Sequence, residues 1–260
     1  MSTNTSKEKF IRKIEINVIN KCGMKCQGCS HFASLEKEEE IYSLDSLESD
    51  LIQLKTLGIK IKQEFKLIGG EPLLIGDKLI DFINLIRKYY NEQRIVIHTN
   101  GLLVEKMSDE LIDCMDKNNV HLYISKMNGY NIDKNKINAR FNKTRICCLY
   151  MDDKETFSKI FLPSGKTKNK LLQYSICTRK CCHTLRNGKL FVCSVAAFVY
   201  RLNRDFGTKY PENCFIDIYK NSAEDIIEFL RNPTELCSHC DGQRKYEQNQ
   251  VKNIELSDWM

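Results

Sequence analysis

Nothing in this chain marks export or a membrane span. No stretch approaches the ~20 consecutive apolar residues needed to cross a bilayer. The opening residues, Met1 to Lys13, are polar and charged and lack the apolar centre of a signal peptide. There is no dense basic block with interleaved aromatics, so nucleic-acid binding has little support. Internal repeats and low-complexity tracts are missing too. These absences predict a soluble, cytoplasmic protein with no nucleic-acid partner and no membrane partner. Lysine and arginine number 40 against 34 aspartate and glutamate, a net charge of +6. That excess fits an anionic small substrate and is also ordinary for a soluble protein. Hydrophobic residues make up 42% of the 260 positions, too many for a disordered chain. The length suits one sizeable α/β domain with a small appendage.

Cysteine, by contrast, is abundant. There are 13, an odd number without an export signal. A disulfide scaffold fits that poorly; metal binding or redox chemistry fits better. The distribution is uneven. Cys22, Cys26 and Cys29 stand together, and the rest begin at Cys114, most of them beyond Cys147.

The first half alternates strand and helix patterns. Ile14 to Ile19, Phe65 to Ile68, Arg94 to His98, His121 to Ser125 and Arg145 to Tyr150 read as strands. Leu44 to Leu57, with Asp45 or Ser46 as cap, Lys78 to Tyr90, and Ser108 to Lys117 read as helices. This order predicts a parallel sheet, either doubly wound or barrel-like, with ligands at the carboxyl ends of the strands. The second half differs. Phe157 to Gln173 is polar with few clear periods. Asn187-Gly188 predicts a hairpin turn, and Ser222 to Arg231 a helix capped by Ser222. We expect a boundary near residues 155 to 170, dividing the chain into 1–160 and 161–260.

Three motifs follow predicted strands and so converge on one mouth. Cys22-Gly-Met-Lys-Cys26-Gln-Gly-Cys29 spaces three thiols as Cys-x3-Cys-x2-Cys. Three thiolates hold three irons of a cubane and leave the fourth iron open. Zinc is the competing reading, with His31 as a fourth ligand. Gly69-Gly70-Glu71-Pro72 follows the second strand: glycines expose backbone carbonyls, and a carboxylate suits an ammonium group. Thr99-Asn100-Gly101 follows the third strand, and Ser125 ends the fourth.

Over roughly Lys13 to Tyr150 these motifs resemble the radical S-adenosylmethionine (SAM) superfamily. The resemblance implies a partial (β/α) TIM-like barrel of about five to six strands. It implies a 4Fe-4S cluster on Cys22, Cys26 and Cys29, with SAM held by Gly69, Gly70, Glu71, Pro72, Thr99, Asn100 and Ser125. The reduced cluster would cleave SAM to methionine and a 5′-deoxyadenosyl radical, with an external donor such as flavodoxin or ferredoxin supplying the electron. The family often places an aromatic residue before the third cysteine; here it is Gly28, which moves the adenine contacts to the following Ser30 to Phe32. Further on, Cys177, Cys193, Cys237 and Cys240, spaced around the predicted hairpin, resemble the C-terminal twitch module, a short relative of SPASM that holds an auxiliary 4Fe-4S cluster. Cys181 or Cys182 is the alternative first ligand, and zinc the alternative metal. Cys114, Cys147, Cys148 and Cys214 are expected to be buried as small apolar groups.

The length and single auxiliary module most resemble the butirosin-pathway aminocyclitol dehydrogenase type. That implies two-electron oxidation of a small polar substrate such as a sugar, cyclitol or polysaccharide precursor. The auxiliary cluster would be the electron acceptor, and Lys126, Arg145 or His31 the base. The alternatives are a maturase acting on a ribosomally made peptide, a glycyl-radical activase acting on a protein partner, and a non-catalytic zinc protein.

Overall fold

A computed structural model describes residues 9–260 except 128–129, 155, 159, 163–166, 242–244 and 248. Side chains at 126–127, 152–154, 156–158 and 245–247 also lie outside the described set.

The first half is built from β1 (Phe10–Ile19), α1 (Leu44–Thr56), β2 (Lys60–Gly69), α2 (Lys78–Tyr89), β3 (Arg94–Thr99), α3 (Asp109–Lys117), β4 (Val120–Met127), α4 (Lys134–Phe141) and β5 (Cys148–Lys154). After β6 (Thr156–Ser158) come α5 (Lys170–Ile176), β7 (His183–Arg186), β8 (Lys189–Phe191), α6 (Ser194–Phe198), α7 (Tyr200–Phe206), β9 (Phe215–Asp217), α8 (Ala223–Leu230) and β10 (Lys245–Glu247).

One sheet of eight strands runs in the order β5-β4-β3-β2-β1-β7-β8-β9. Every pairing from β5 to β7 is parallel, and only the β7-β8-β9 end is antiparallel. This is the mixed α/β, partial-barrel order expected from the sequence. Because β7 lies directly on β1, with Glu15 level with Thr184, the sheet crosses the boundary expected near residue 160.

Strand alternation sorts the sheet into two faces. Ile14, Ile16, Phe65, Leu67, Ile95, Ile97, Leu122 and Ile124 have no exposed surface and pack on the helices. Each contributes about 1.5–3 kcal/mol of burial. The opposite, inner face is largely polar, with Val96 and Ile68 among its residues. It carries Glu15 and Asn17 of β1, Glu64 and Lys66 of β2, His98 of β3, and Tyr123 and Ser125 of β4. Lys66 Nζ pairs with Glu15 at 3.1 Å, and Arg94 with Glu64 at 2.9 Å. A second apolar core joins Phe32 and Leu35 to Phe161, Phe198, Leu202 and Trp259. It therefore mixes residues from both halves.

Several local expectations shift. The cap of α1 is Ser43, whose hydroxyl accepts from the Ser46 amide at 3.3 Å, not Asp45 or Ser46. Strand β5 starts three residues later than the sequence pattern suggests. The Arg145 and Cys147 amides are taken by Asp116 Oδ1 at 2.6 Å and His121 Nδ1 at 3.1 Å, so ladder pairing begins at Cys148. The turn at Asn187 (φ 48°) and Gly188 (φ 73°) has the expected pair of positive φ angles. Ser222 caps α8 in a reciprocal box with Asp225. Of the cysteines expected to be buried apolar groups, Cys214 is buried, whereas Cys147 is exposed. Among the described residues no helix is long and apolar enough to cross a membrane.

Candidate active site at the strand mouth

The loop after β1 carries Cys22, Cys26 and Cys29 to the carboxyl edge of the sheet. It is seated by backbone pairing with the turn after β2: the Gly70 amide donates to Ile19 O at 2.8 Å, and the Glu71 amide to Lys21 O at 2.9 Å. That pairing requires glycine. A Cβ on Gly70 would lie 1.9 Å from Lys21 O and 2.8 Å from the Cys22 amide; one on Gly69 would lie 2.1 Å from Ile19 O. The Gly-Gly dipeptide thus brings the second motif into contact with the first.

A cavity of about 150 Å³ opens between them. Its walls include Cys22, Cys26, Cys29, Gly69, Gly70, Thr99, Asn100 and Ser125, so all three predicted motifs and Ser125 meet there. Burial, together with the neighbouring Cys29 thiol, the Glu71 carboxylate and the Cys26 thiol, pushes the Cys22 thiol up to about 12. Thiols crowded this way repel one another as thiolates unless a metal centre takes up their charge. The three thiols on one glycine-containing loop, facing an open cavity, fit a cubane with one iron left free.

Two predicted residues point elsewhere. Glu71 and Pro72 are buried and are not part of the cavity wall. The Glu71 carboxylate accepts from Thr99 Oγ1 at 2.6 Å, the Asn100 amide at 2.8 Å and the Leu73 amide at 3.1 Å. Burial raises its pKa against these three hydrogen bonds. Its geometry is that of a brace tying the β2 turn to the β3 turn. Glu71→Gln presents an amide N–H to one of those donors. We expect a loss of about 2 kcal/mol of stability, read by chemical denaturation; an unchanged midpoint would contradict the bracing role.

Phe32 is likewise turned away. It has no exposed surface and packs against Trp259 at 5.7 Å, leaving Ser30 and His31 as the neighbours of Cys29 on the cavity wall.

Of the candidate bases, His31 is in the wall. It is 7% exposed, and burial with the Arg201 and Lys66 charges lowers its pKa to about 3, so it is neutral. Arg145 is not. It precedes β5 at the amino edge of the sheet, bonded to Asp116 at the end of α3, and a guanidinium does not give up its proton. The Lys126 side chain lies outside the described residues. A residue not singled out from the sequence, His98, also lines the cavity, its Nε2 2.7 Å from Ser125 Oγ. Period-two alternation from Arg94 already places it on the inner face.

In the second half, Cys177 ends α5, Cys193 caps α6, Cys237 lies within the short 3-10 turn Glu235–His239, and Cys240 follows directly after it. Burial raises the Cys193 thiol to about 12 and that of Cys240 well above its usual range; in both, the other thiols of the group add to the shift. Cys182 faces away from them, on the inner face of the sheet, where burial and then Glu15 raise it to about 12. Cys181 lines a separate cavity behind the sheet with Arg12 and Lys180.

The family model described as a 4Fe-4S single cluster domain matches residues 15–144. The chain belongs to the radical SAM superfamily. Its cofactors are accordingly a 4Fe-4S cluster and SAM. The GTP 3′,8-cyclase of Helicobacter pylori is 32% identical over 105 residues, 40% of this chain and 32% of that protein. The probable GTP 3′,8-cyclase of Archaeoglobus fulgidus is 32% identical over 106 residues, 41% of this chain and 33% of that protein. The match therefore spans about a third of these relatives. Among solved radical SAM folds, BtrN in complex with AdoMet and 2-DOIA aligns with a TM-score of 0.58 at 16% identity, covering 91% of this chain and 95% of that one. BtrN in an open conformation aligns with a TM-score of 0.51 at 15% identity, covering 89% and 92%.

Proposed function

We propose that this radical SAM enzyme dehydrogenates a small polar substrate and passes the second electron to an auxiliary 4Fe-4S cluster on Cys177, Cys193, Cys237 and Cys240. The observation that carries this reading is the second thiol group. Burial raises the Cys193, Cys237 and Cys240 thiols, and other thiols of the group add to each shift, a cost that a shared metal centre relieves.

When bound, the cluster and SAM supply an oxidant strong enough to remove a hydrogen atom from carbon. The chain's own residues do the rest. Cys22, Cys26 and Cys29 hold the cluster. Gly69 and Gly70 give SAM a close backbone surface, with Thr99, Asn100 and Ser125 along its edge. Glu15, Asn17, Lys66, His98 and Tyr123 on the inner face offer donors and acceptors to a hydroxyl-rich substrate, and His98, in the cavity wall, is placed to take its proton. BtrN, whose crystal structure holds AdoMet and 2-DOIA, has a similar fold, which favours the small-molecule reading. We place the radical SAM part at 1–160 and the auxiliary module at 161–260, joined through the common sheet. An external electron donor completes the cycle.

The test begins with metal content. Anaerobic reconstitution is expected to give about eight irons per chain, four for each cubane, and Cys237→Ala about four. Cys237→Ala is expected to keep SAM cleavage and lose substrate oxidation. Zinc at the second site, or full turnover by the variant, would reject the electron-acceptor role.

A further inference from the structure

The segment near the C-terminus lies across the cluster loop. The Gln27 amide donates to Asn249 O at 3.1 Å, and the Val251 amide to Lys25 O at 3.0 Å. Between them the Gln250 side chain reaches over: Oε1 accepts from the Lys25 amide at 2.8 Å, and Nε2 stands 3.0 Å from Cys26 Sγ. The first contact fixes the second. A backbone N–H can only donate, so the amide oxygen must face Lys25 and the NH₂ must face the thiolate. Two more contacts secure the same loop. Gln27 Nε2 donates to Asp258 at 2.8 Å, and Trp259 Nε1 donates to Cys29 O at 3.0 Å.

We infer that Gln250 is a positioning residue for the SAM-binding cluster and sets its reduction potential by donating a hydrogen bond to Cys26. The inference rests on the proposal that Cys26 is a cluster ligand. Reduction adds an electron whose charge spreads onto the sulfurs. An N–H dipole aimed at one of them stabilises the reduced form more than the oxidised form and raises the potential. The donor comes from a bridge residue more than two hundred residues away in sequence, so the seating of this segment bears directly on how readily the cluster accepts an electron.

The test is an EPR-monitored redox titration of the reconstituted full chain without SAM, comparing wild type with Gln250→Met and Gln250→Glu. Gln250→Glu keeps an oxygen for the Lys25 amide and replaces only the donor. At a fixed poise we expect the reduced fraction to fall about threefold in Gln250→Met and about tenfold in Gln250→Glu, the latter a downward shift of ~59 mV for one electron. Any second iron–sulfur signal should stay where it is. An unchanged potential in both variants, with the wild-type cluster present, would overturn the inference. Failure of wild type to form a cluster, or a cluster that survives Cys26→Ala, would instead reject the ligand assignment beneath it. Should neither Gln250 variant assemble the cluster, ¹⁵N-glutamine labelling of Gln27→Met decides. The reduced cluster should show a ¹⁵N coupling, and its absence overturns the inference.

Discussion

Cys26→Ala is expected to bind no cluster at the strand mouth and to form 5′-deoxyadenosine only at the background rate. With Cys26 gone, Cys22 and Cys29 leave two irons of a cubane without protein ligands, and among the described residues no other cysteine lines the cavity. Loss of a single outer-shell partner of a metal ligand typically costs ~10–100-fold, so losing the ligand should cost more than about 100-fold. The fold should survive, because Cys26 is only partly buried and the sheet beneath the loop is held by its own ladder and core. Iron content, absorbance and product formation measured on one sample separate loss of the cluster from loss of the fold.

The second large effect is expected at Gly70. A methyl group there would have to lie 1.9 Å from Lys21 O and 2.2 Å from its carbonyl carbon. Both are backbone atoms, so no side-chain rotation relieves the clash. The β1 and β2 turns must separate, and Cys22 moves with them. Gly70→Ala should therefore cost about 3 kcal/mol or more, lowering the melting temperature by roughly 6–12 °C in a chain of this size, with loss of cluster and of SAM cleavage together. Gly23→Ala is the control: among the described residues nothing lies within 4 Å of a Cβ there, and its stability should be close to wild type. Equal tolerance at both positions would contradict the packing argument.

The parallel order of strands was legible in the sequence because Ile14–Ile16, Phe65–Leu67, Ile95–Ile97 and Leu122–Ile124 each supply apolar residues to the helix-facing side. Strands built that way need crossover helices. The sequence did not reveal α4, since only Ile137 and Phe141 of its residues are buried, too few for a visible period. Helices α6 and α7 were missed for a different reason. Ser194 to Phe198 is buried throughout and shows no amphipathic alternation. The boundary expected near residue 160 took no account of β7 pairing with β1, a long-range contact that local pattern cannot encode.

The site divides in the same way. Residues whose chemistry depends on type and spacing, the cysteines and the Gly-Gly dipeptide, meet at one cavity as expected. Residues whose role depends on direction did not follow from position. Glu71 points into the turn rather than the cavity, Phe32 into the second core, and Arg145 sits at the opposite edge of the sheet. Gln250 carries no motif at all; only the fold brings it 3.0 Å from Cys26.

The measurement that tests this account most directly is product analysis of the anaerobically reconstituted wild-type chain after addition of SAM and dithionite. The arrangement of Cys22, Cys26 and Cys29 beside Gly69 and Gly70 predicts 5′-deoxyadenosine and methionine in equal amounts, and neither from Cys26→Ala. An iron-replete wild-type protein that leaves SAM intact would contradict it.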